Sequence, residues 1–189
     1  MEIISGKARN LSLKVPQGDS VRPTSARSRK AMFDSLSIFL DKTIVDLFAG
    51  SGALGLEAAS RGAKKAYFIE LDMANCRIIE ENIHKVKRTG VESEFMVIKA
   101  DAAAPDRYVS VAKKPNIIFA DPPYPESGKF FRQLTADQQF MKWAKDALLV
   151  WEIPDFGDPD GSFIQAPGWN LKRRKYGSRV FILAEVKPA

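Results

Sequence analysis

Short apolar runs alternate with amphipathic stretches from residue 43 to residue 185, and this alternation leaves the chain few folds. Strands are expected at 43–48, 65–71, 95–100, 116–120, 148–153 and near 180–185. Helices are expected at about 53–61, 73–87, 102–111 and 137–145. Strands this short and apolar are buried on both faces, which requires a mainly parallel twisted sheet with helices on either side, a Rossmann-like α/β fold.

Before that region, Ile3-Ile4-Ser5 and Leu11-Ser12-Leu13-Lys14-Val15 flank Gly6 and predict a small N-terminal β-hairpin. Pro16, Gly18 and Pro23 break the chain. Thr24 or Ser25 then caps a helix running to about Leu40, whose stripe is Ala31, Met32, Phe33, Leu36 and Phe39. The Asp-, Gly- and Pro-rich stretch 154–168 reads as a surface connection. At 189 residues and 45% hydrophobic the chain suits one domain, residues 1–23 as an extension and 24–189 as the core. Roughly 70% of the unfolded surface is buried at that size.

Composition narrows the chemistry. The chain has one cysteine, Cys76, and one histidine, His84, so no internal disulfide forms and no Cys/His zinc cluster can be assembled. A nucleophile–His arrangement would have to use His84, which lies in the charged helical stretch Glu80-Glu81-Asn82-Ile83-His84-Lys85. No metal is expected, and the reactive group is expected to arrive on a cofactor. No run approaches the roughly 18 apolar residues that span a bilayer. The charged N-terminus lacks the apolar centre of a signal peptide, so a cytoplasmic location is expected.

Ile44 to Gly55 reads strand, glycine turn, helix, and Gly50-x-Gly52-x-x-Gly55 fits a nucleotide-binding turn in its required context. Gly50, Ser51 and Gly52 allow a ligand to approach the backbone closely. The next strand ends in Glu70, twenty residues after Gly50, where a carboxylate can accept from both hydroxyls of a ribose. Asp72 reads as the cap of the helix starting at Met73. Asp101, after the third strand, can accept from an adenine amino group or cap the helix expected at 102–111. Together these describe an adenosine pocket, which NAD and S-adenosylmethionine both satisfy.

The fourth strand separates the two. Asp121-Pro122-Pro123-Tyr124 closes the apolar run Asn116–Ala120 and presents a carboxylate, a rigid turn and an aromatic ring at a strand end. Asp121 and the Pro122 carbonyl can accept the hydrogens of an exocyclic amine, Tyr124 can stack on its ring, and Asp46 can pair with the ammonium of an amino-acid end. A methyl donor fits this set better than a hydride carrier, whose pyrophosphate needs a free helix N-terminus.

The motif resembles the fourth motif of S-adenosylmethionine-dependent amino-methyltransferases. The whole pattern resembles the bacterial 16S rRNA guanine-N2-methyltransferase family, RsmD. It comprises Ile3-Ile4-Ser5-Gly6-Lys7, Arg22-Pro23-Thr24-Ser25, the run from Asp46 to Ala58, Ser60-Arg61-Gly62-Ala63, Asp121-Pro122-Pro123-Tyr124 and the Lys175-Tyr176-Gly177-Ser178 element. The chain departs from the family pattern at Asn10, usually Gly, at Lys30, usually Glu, and around 156–162.

The resemblance implies methylation of a guanine in small-subunit rRNA, within a particle or assembly intermediate, by a monomer. Asp121, Pro122 and Tyr124 would be catalytic, and Asp46, Gly50, Ser51, Gly52, Glu70 and Asp101 would hold the cofactor. Arg9, Arg22, Thr24 and Pro123 would meet the RNA, with the extension 1–23 gripping phosphates. The formal charge of +6 agrees, with basic residues crowded into the first thirty positions and again at Lys172-Arg173-Arg174-Lys175. Motif chemistry alone admits an adenine or cytosine amine equally. An NAD-linked oxidoreductase and a non-catalytic RNA-binding protein are the other readings.

Overall fold

A computed structural model of the chain describes residues 1–16, 26–36, 38–153, 165–177 and 179–188, including the backbone but not the ring of Tyr124. The strands are β1 (Thr43–Leu47), β2 (Lys65–Glu70), β3 (Glu94–Lys99), β4 (Ile117–Ala120), β5 (Leu148–Ile153), β6 (Trp169–Tyr176) and β7 (Arg179–Val186). The helices are α1 (Ala26–Ser35), α2 (Ala53–Ser60), α3 (Met73–Lys87), α4 (Ser127–Ala136) and α5 (Gln138–Trp143). The strands form one sheet in the order β3-β2-β1-β4-β5-β7-β6, parallel from β3 to β5 and antiparallel where β7 joins β5 and β6.

Side chains alternate across the pleat, and that alternation builds two cores. Ile44, Ala66, Phe68, Phe119, Val150 and Phe181 face one side, where α1 to α3 supply Met32, Phe33, Leu56 and Ile79. Their sequence neighbours Val45, Leu47, Tyr67, Ile69, Ile118, Leu149 and Trp151 face the other, under Phe131 and Leu134 of α4 and Phe140 and Trp143 of α5. Each fully buried aliphatic or aromatic side chain contributes about 1.5–3 kcal/mol relative to exposure. Among the described residues no helix is long and apolar enough to cross a membrane.

The N-terminal segment pairs with itself through one antiparallel bridge, Glu2 with Ser12, rather than a full hairpin ladder. Turn bonds such as the Asn10 N–H to the Ile3 carbonyl at 2.9 Å close the segment on itself, and other backbone groups bond to the helices. The Ile4 N–H donates to Glu57 at 2.6 Å, the Ala8 N–H to Ser60 Oγ at 2.9 Å and the Lys14 N–H to Asn82 Oδ1 at 2.8 Å. Gly6 makes this docking possible, because a Cβ there would lie 1.9 Å from the Ser60 carbonyl oxygen. Asn10 has φ 66°, a left-handed conformation that Asn tolerates nearly as readily as the Gly it replaces.

The expected helix at 102–111 is a single 3-10 turn, Pro105–Arg107. Pro105 removes a donor and pushes Ala104 out of the helical region, to φ −116° and ψ 80°. The expected helix at 137–145 is α5, capped by Asp137, and α4 precedes it where no helix was expected. α1 ends at Ser35, whose hydroxyl donates back to the Met32 carbonyl at 2.7 Å. β6 was also unexpected. Its run Lys172–Lys175 is exposed at the sheet edge, where lysines and arginines discourage further strand pairing.

Candidate active site

At the C-terminal ends of β1, β2, β4, β5 and the start of β7 lies a cleft of about 1190 Å³. Asp46, Gly50, Ser51, Glu70, Asp101, Asp121, Pro122 and Pro123 all line it, so the structure brings these expected site residues together. Gly52 turns the chain just behind them with φ 76° and precedes α2.

The glycine turn is held by the acids around it. Glu70 Oε2 accepts from the Gly50 N–H at 2.7 Å, and its Oε1 accepts from the Asp72 N–H at 2.9 Å. Oε1 also accepts a longer hydrogen bond from Asn75 Nδ2 at 3.4 Å, so Oε2 is the oxygen with a lone pair left for a ligand hydroxyl. Asp72 accepts from Ala74 and Asn75 as the N-cap of α3, the role expected of it. Asp46 Oδ2 accepts from the Gly55 N–H at 2.9 Å. Gly55 itself is required by packing, since a Cβ would sit 2.5 Å from the buried Phe68 ring. Asp101 accepts from the Ala103 N–H at 2.8 Å, so it both caps the adjoining turn and faces the cleft.

Burial pushes the Asp46 carboxyl well above the usual range. The Gly55 N–H opposes that rise, and negative Asp121 and Glu70 add to it. A buried carboxylate in this state gains most from a cationic ligand. On the far wall, Arg29 of α1 is 6% exposed; its Nη2 donates to the Glu2 carbonyl at 2.5 Å while its Nε is buried without a partner. Burial lowers its pKa, with Glu57 and Glu2 opposing.

Asp121 leaves β4 beside Glu152 of β5, because Ala120 pairs with Trp151 one residue earlier. Asp121 stays open to the cleft mouth. The surrounding protein nevertheless pushes its carboxyl up, and Arg179 of β7 pulls it back down. Glu152 is 4% exposed, is raised by burial and then by Asp121, and contacts the Arg179 guanidinium through its carboxylate.

Sequence reasoning missed Glu152, Arg179 and Arg29. Glu152 carried the signal of the other strand-end acids, and Arg29 lies three and four residues before the buried Met32 and Phe33, on one helix face. Arg179 follows the Tyr176-Gly177 element, and α1 packs against that element: Ser35 Oγ and the Tyr176 hydroxyl lie 2.6 Å apart.

Of the expected RNA-contacting residues, Arg9 is exposed on the N-terminal segment, whereas Arg22 and Thr24 lie outside the described residues. Tyr124 opens a 3-10 turn, and its ring is likewise outside the description. The basic clusters are partly neutralised. Lys14 pairs with Glu81 at 2.8 Å, and Lys30, the departure from the usual Glu, bonds Asp34 at 2.5 Å. Arg27 of α1 and the β6 run remain exposed.

The sheet order, the glycine turn after β1 and the Asp-Pro-Pro after β4 define the chain as a class I methyltransferase fold. The chain belongs to the family described as conserved hypothetical protein 95, whose model matches residues 1–185. It is 38% identical over 184 residues to the ribosomal RNA small subunit methyltransferase D of Escherichia coli (strain K12), covering 95% of this chain and 86% of that one. The Haemophilus influenzae protein of the same name is 32% identical over 183 residues, 93% of this chain and 88% of the relative. Among solved structures, a hypothetical protein of Thermus thermophilus superposes with a TM-score of 0.72 at 32% identity, covering 98% of this chain and 99% of that one.

Proposed function

We propose that this protein is an S-adenosylmethionine-dependent RNA methyltransferase acting on the exocyclic N2 amine of a guanine in small-subunit ribosomal RNA. One observation carries the chemistry: the Asp121-Pro122 turn opens into the same cleft as the glycine turn and Glu70. The names of the relatives carry the RNA.

The residues present fit the cofactor. Asp46 suits its ammonium, Glu70 its ribose hydroxyls, Asp101 its adenine amine, and the buried guanidinium of Arg29 its carboxylate. A diphosphate ligand fits poorly, because Asp46 already occupies the Gly55 N–H at the α2 N-terminus and negative side chains surround it. This argues against an NAD-linked oxidoreductase. When bound, S-adenosylmethionine would supply a methyl group activated by a positive sulfur, the S–C bond breaking with its electron pair left on a neutral thioether.

An aromatic amine is a weak nucleophile because its lone pair is delocalised into the ring. The Asp121 carboxylate and the Pro122 carbonyl accept its hydrogens and favour a pyramidal nitrogen with a localised lone pair. As the new N–C bond forms, nitrogen becomes positive and sheds a proton. Asp121, whose pKa is raised, is the nearest base to take it. Holding the amine in place is the main contribution. The target base must leave its stack, which favours a guanine in a loop; the family resemblance implies that this loop belongs to a small-subunit particle or assembly intermediate. Exposed Arg9 and Arg27 and the β6 edge supply phosphate contacts around it.

Mass-spectrometric mapping of methylated rRNA nucleosides, in cells with and without the gene, tests this reading. One N2-methylguanine is expected to vanish from the small subunit on deletion and return with the wild-type chain. An unchanged map would overturn it.

A further inference from the structure

Glu152 and Arg179 have no task in the methyl transfer above, although both line the cleft beside Asp121. The sheet sets all three on one face. Asp121 and Glu152 leave adjacent parallel strands at one level, and Glu152 pairs with Phe181, two residues from Arg179. Residues two apart on a strand point the same way. The Glu152 carbonyl accepts from Ser127 Oγ at 3.3 Å, and that hydroxyl accepts from Trp151 Nε1 at 2.9 Å, which fixes the strand end. Stability alone does not explain the pair, since an apolar pair of similar volume is often as stable as a buried Arg–Glu contact.

The row reads carboxylate, carboxylate, guanidinium. It offers two acceptors and then a donor. The Watson–Crick edge of guanine offers the complement: the 2-amino donor, the N1–H donor and the O6 acceptor. Adenine and cytosine place an acceptor, N1 or N3, next to their amino group, so a carboxylate at the second position meets an acceptor and the contact is lost. A base flipped into a pocket is read on this edge.

We infer that Glu152 and Arg179 are the specificity-determining pair of the site, Glu152 accepting from N1–H and Arg179 donating to O6 while Asp121 holds the 2-amino group. This rests on the methyl-transfer reading and supplies what that reading takes from the family resemblance alone, the choice of guanine over other amines.

Small-subunit particles reconstituted with guanine or 2-aminopurine at the mapped position provide the test. 2-Aminopurine keeps the reacting amine but has an acceptor at N1 and nothing at position 6. The wild type is expected to prefer guanine by on the order of 100-fold in kcat/KM, a factor of the size that loss of such base contacts produces. Glu152→Gln, whose amide can donate to N1, narrows the preference to a few-fold while S-adenosylmethionine affinity by calorimetry is unchanged. Arg179→Lys keeps the charge, loses the planar fork, and lowers transfer to guanine more than to 2-aminopurine.

If both variants bind the cofactor normally and keep the full preference, or lose activity equally on both bases, the pair is structural and the inference fails. A wild type that methylates neither particle overturns the methyl-transfer reading itself, a result distinguishable from either of those.

Discussion

Both halves of the cleft are acidic, and they use their acids differently. Around β1 and β2, the acids spend lone pairs on backbone: Asp46 on Gly55, Glu70 on Gly50 and Asp72. Around β4, β5 and β7, Asp121 and Glu152 face Arg179 and each other. In the first half the carboxylates shape the loop proposed to hold the cofactor. In the second they face the cleft directly, where the substrate is proposed to bind. Damage to the first half should therefore appear in cofactor affinity and stability, and damage to the second in turnover with the fold intact.

Asp121→Ala gives the largest effect. It removes the proposed acceptor for the amine and the proposed base, and should lower methyl transfer by roughly a thousandfold or more, the upper range for positioning and proton transfer combined. Cofactor affinity by calorimetry should be unchanged. Retained rRNA methylation would mean a non-catalytic RNA-binding protein and would erase the contrast between the halves.

Glu70→Ala comes next. It removes the proposed ribose acceptor and leaves the Gly50 and Asp72 N–H groups without their acceptor. S-adenosylmethionine affinity should fall about 10- to 100-fold, the equivalent of one or two charge-assisted hydrogen bonds, and Tm should fall with it. Unchanged affinity would remove Glu70 from the ribose assignment.

Gly55→Ala tests the scaffold of the same half. The new methyl meets the edge of Phe68, a ring that is fully buried and lies 6.3 Å from Phe95. Overpacking of this kind costs about 1–3 kcal/mol, which a denaturant midpoint would show. An unaltered midpoint would mean the turn tolerates a side chain and is shaped by the ligand alone.

The half proposed to hold the cofactor could be drawn from the sequence because it is local: strand, turn, helix and next acid occupy residues 43 to 72, with glycines at the tight turns. The β5–β7 half joins residues 121, 152 and 179 through sheet pairing, and no short pattern spans that distance. β6 escaped notice because an edge strand needs no apolar alternation, and its basic run carries none. α4 was missed because Ser127-Gly128-Lys129 masks the stripe of Phe131 and Leu134. The helix expected at 102–111 failed on one residue, Pro105, whose backbone effect outweighs the neighbouring alanines.

The smallest effect has the opposite sign to the first and belongs to the same residue. Desolvation by the surrounding cleft walls raises Asp121 in the folded state although the residue is open at the cleft mouth, and Arg179 only partly offsets this. From about pH 4, where an unfolded aspartate titrates, up to that raised value, the folded chain binds more protons than the unfolded one. Stability therefore falls as pH rises through the window. Asp121→Asn removes that loss and the repulsion between Asp121 and Glu152, leaving Arg179 to Glu152 alone. At pH 8 the ligand-free variant should be more stable than the wild type by about 1 kcal/mol once screening at the open cleft mouth is allowed for, or about 2–4 °C in Tm. The gain should shrink toward pH 5. A variant less stable at pH 8 would show that the Asp121–Arg179 attraction outweighs desolvation. The acids of the second half would then be held for the fold, as those of the first half are.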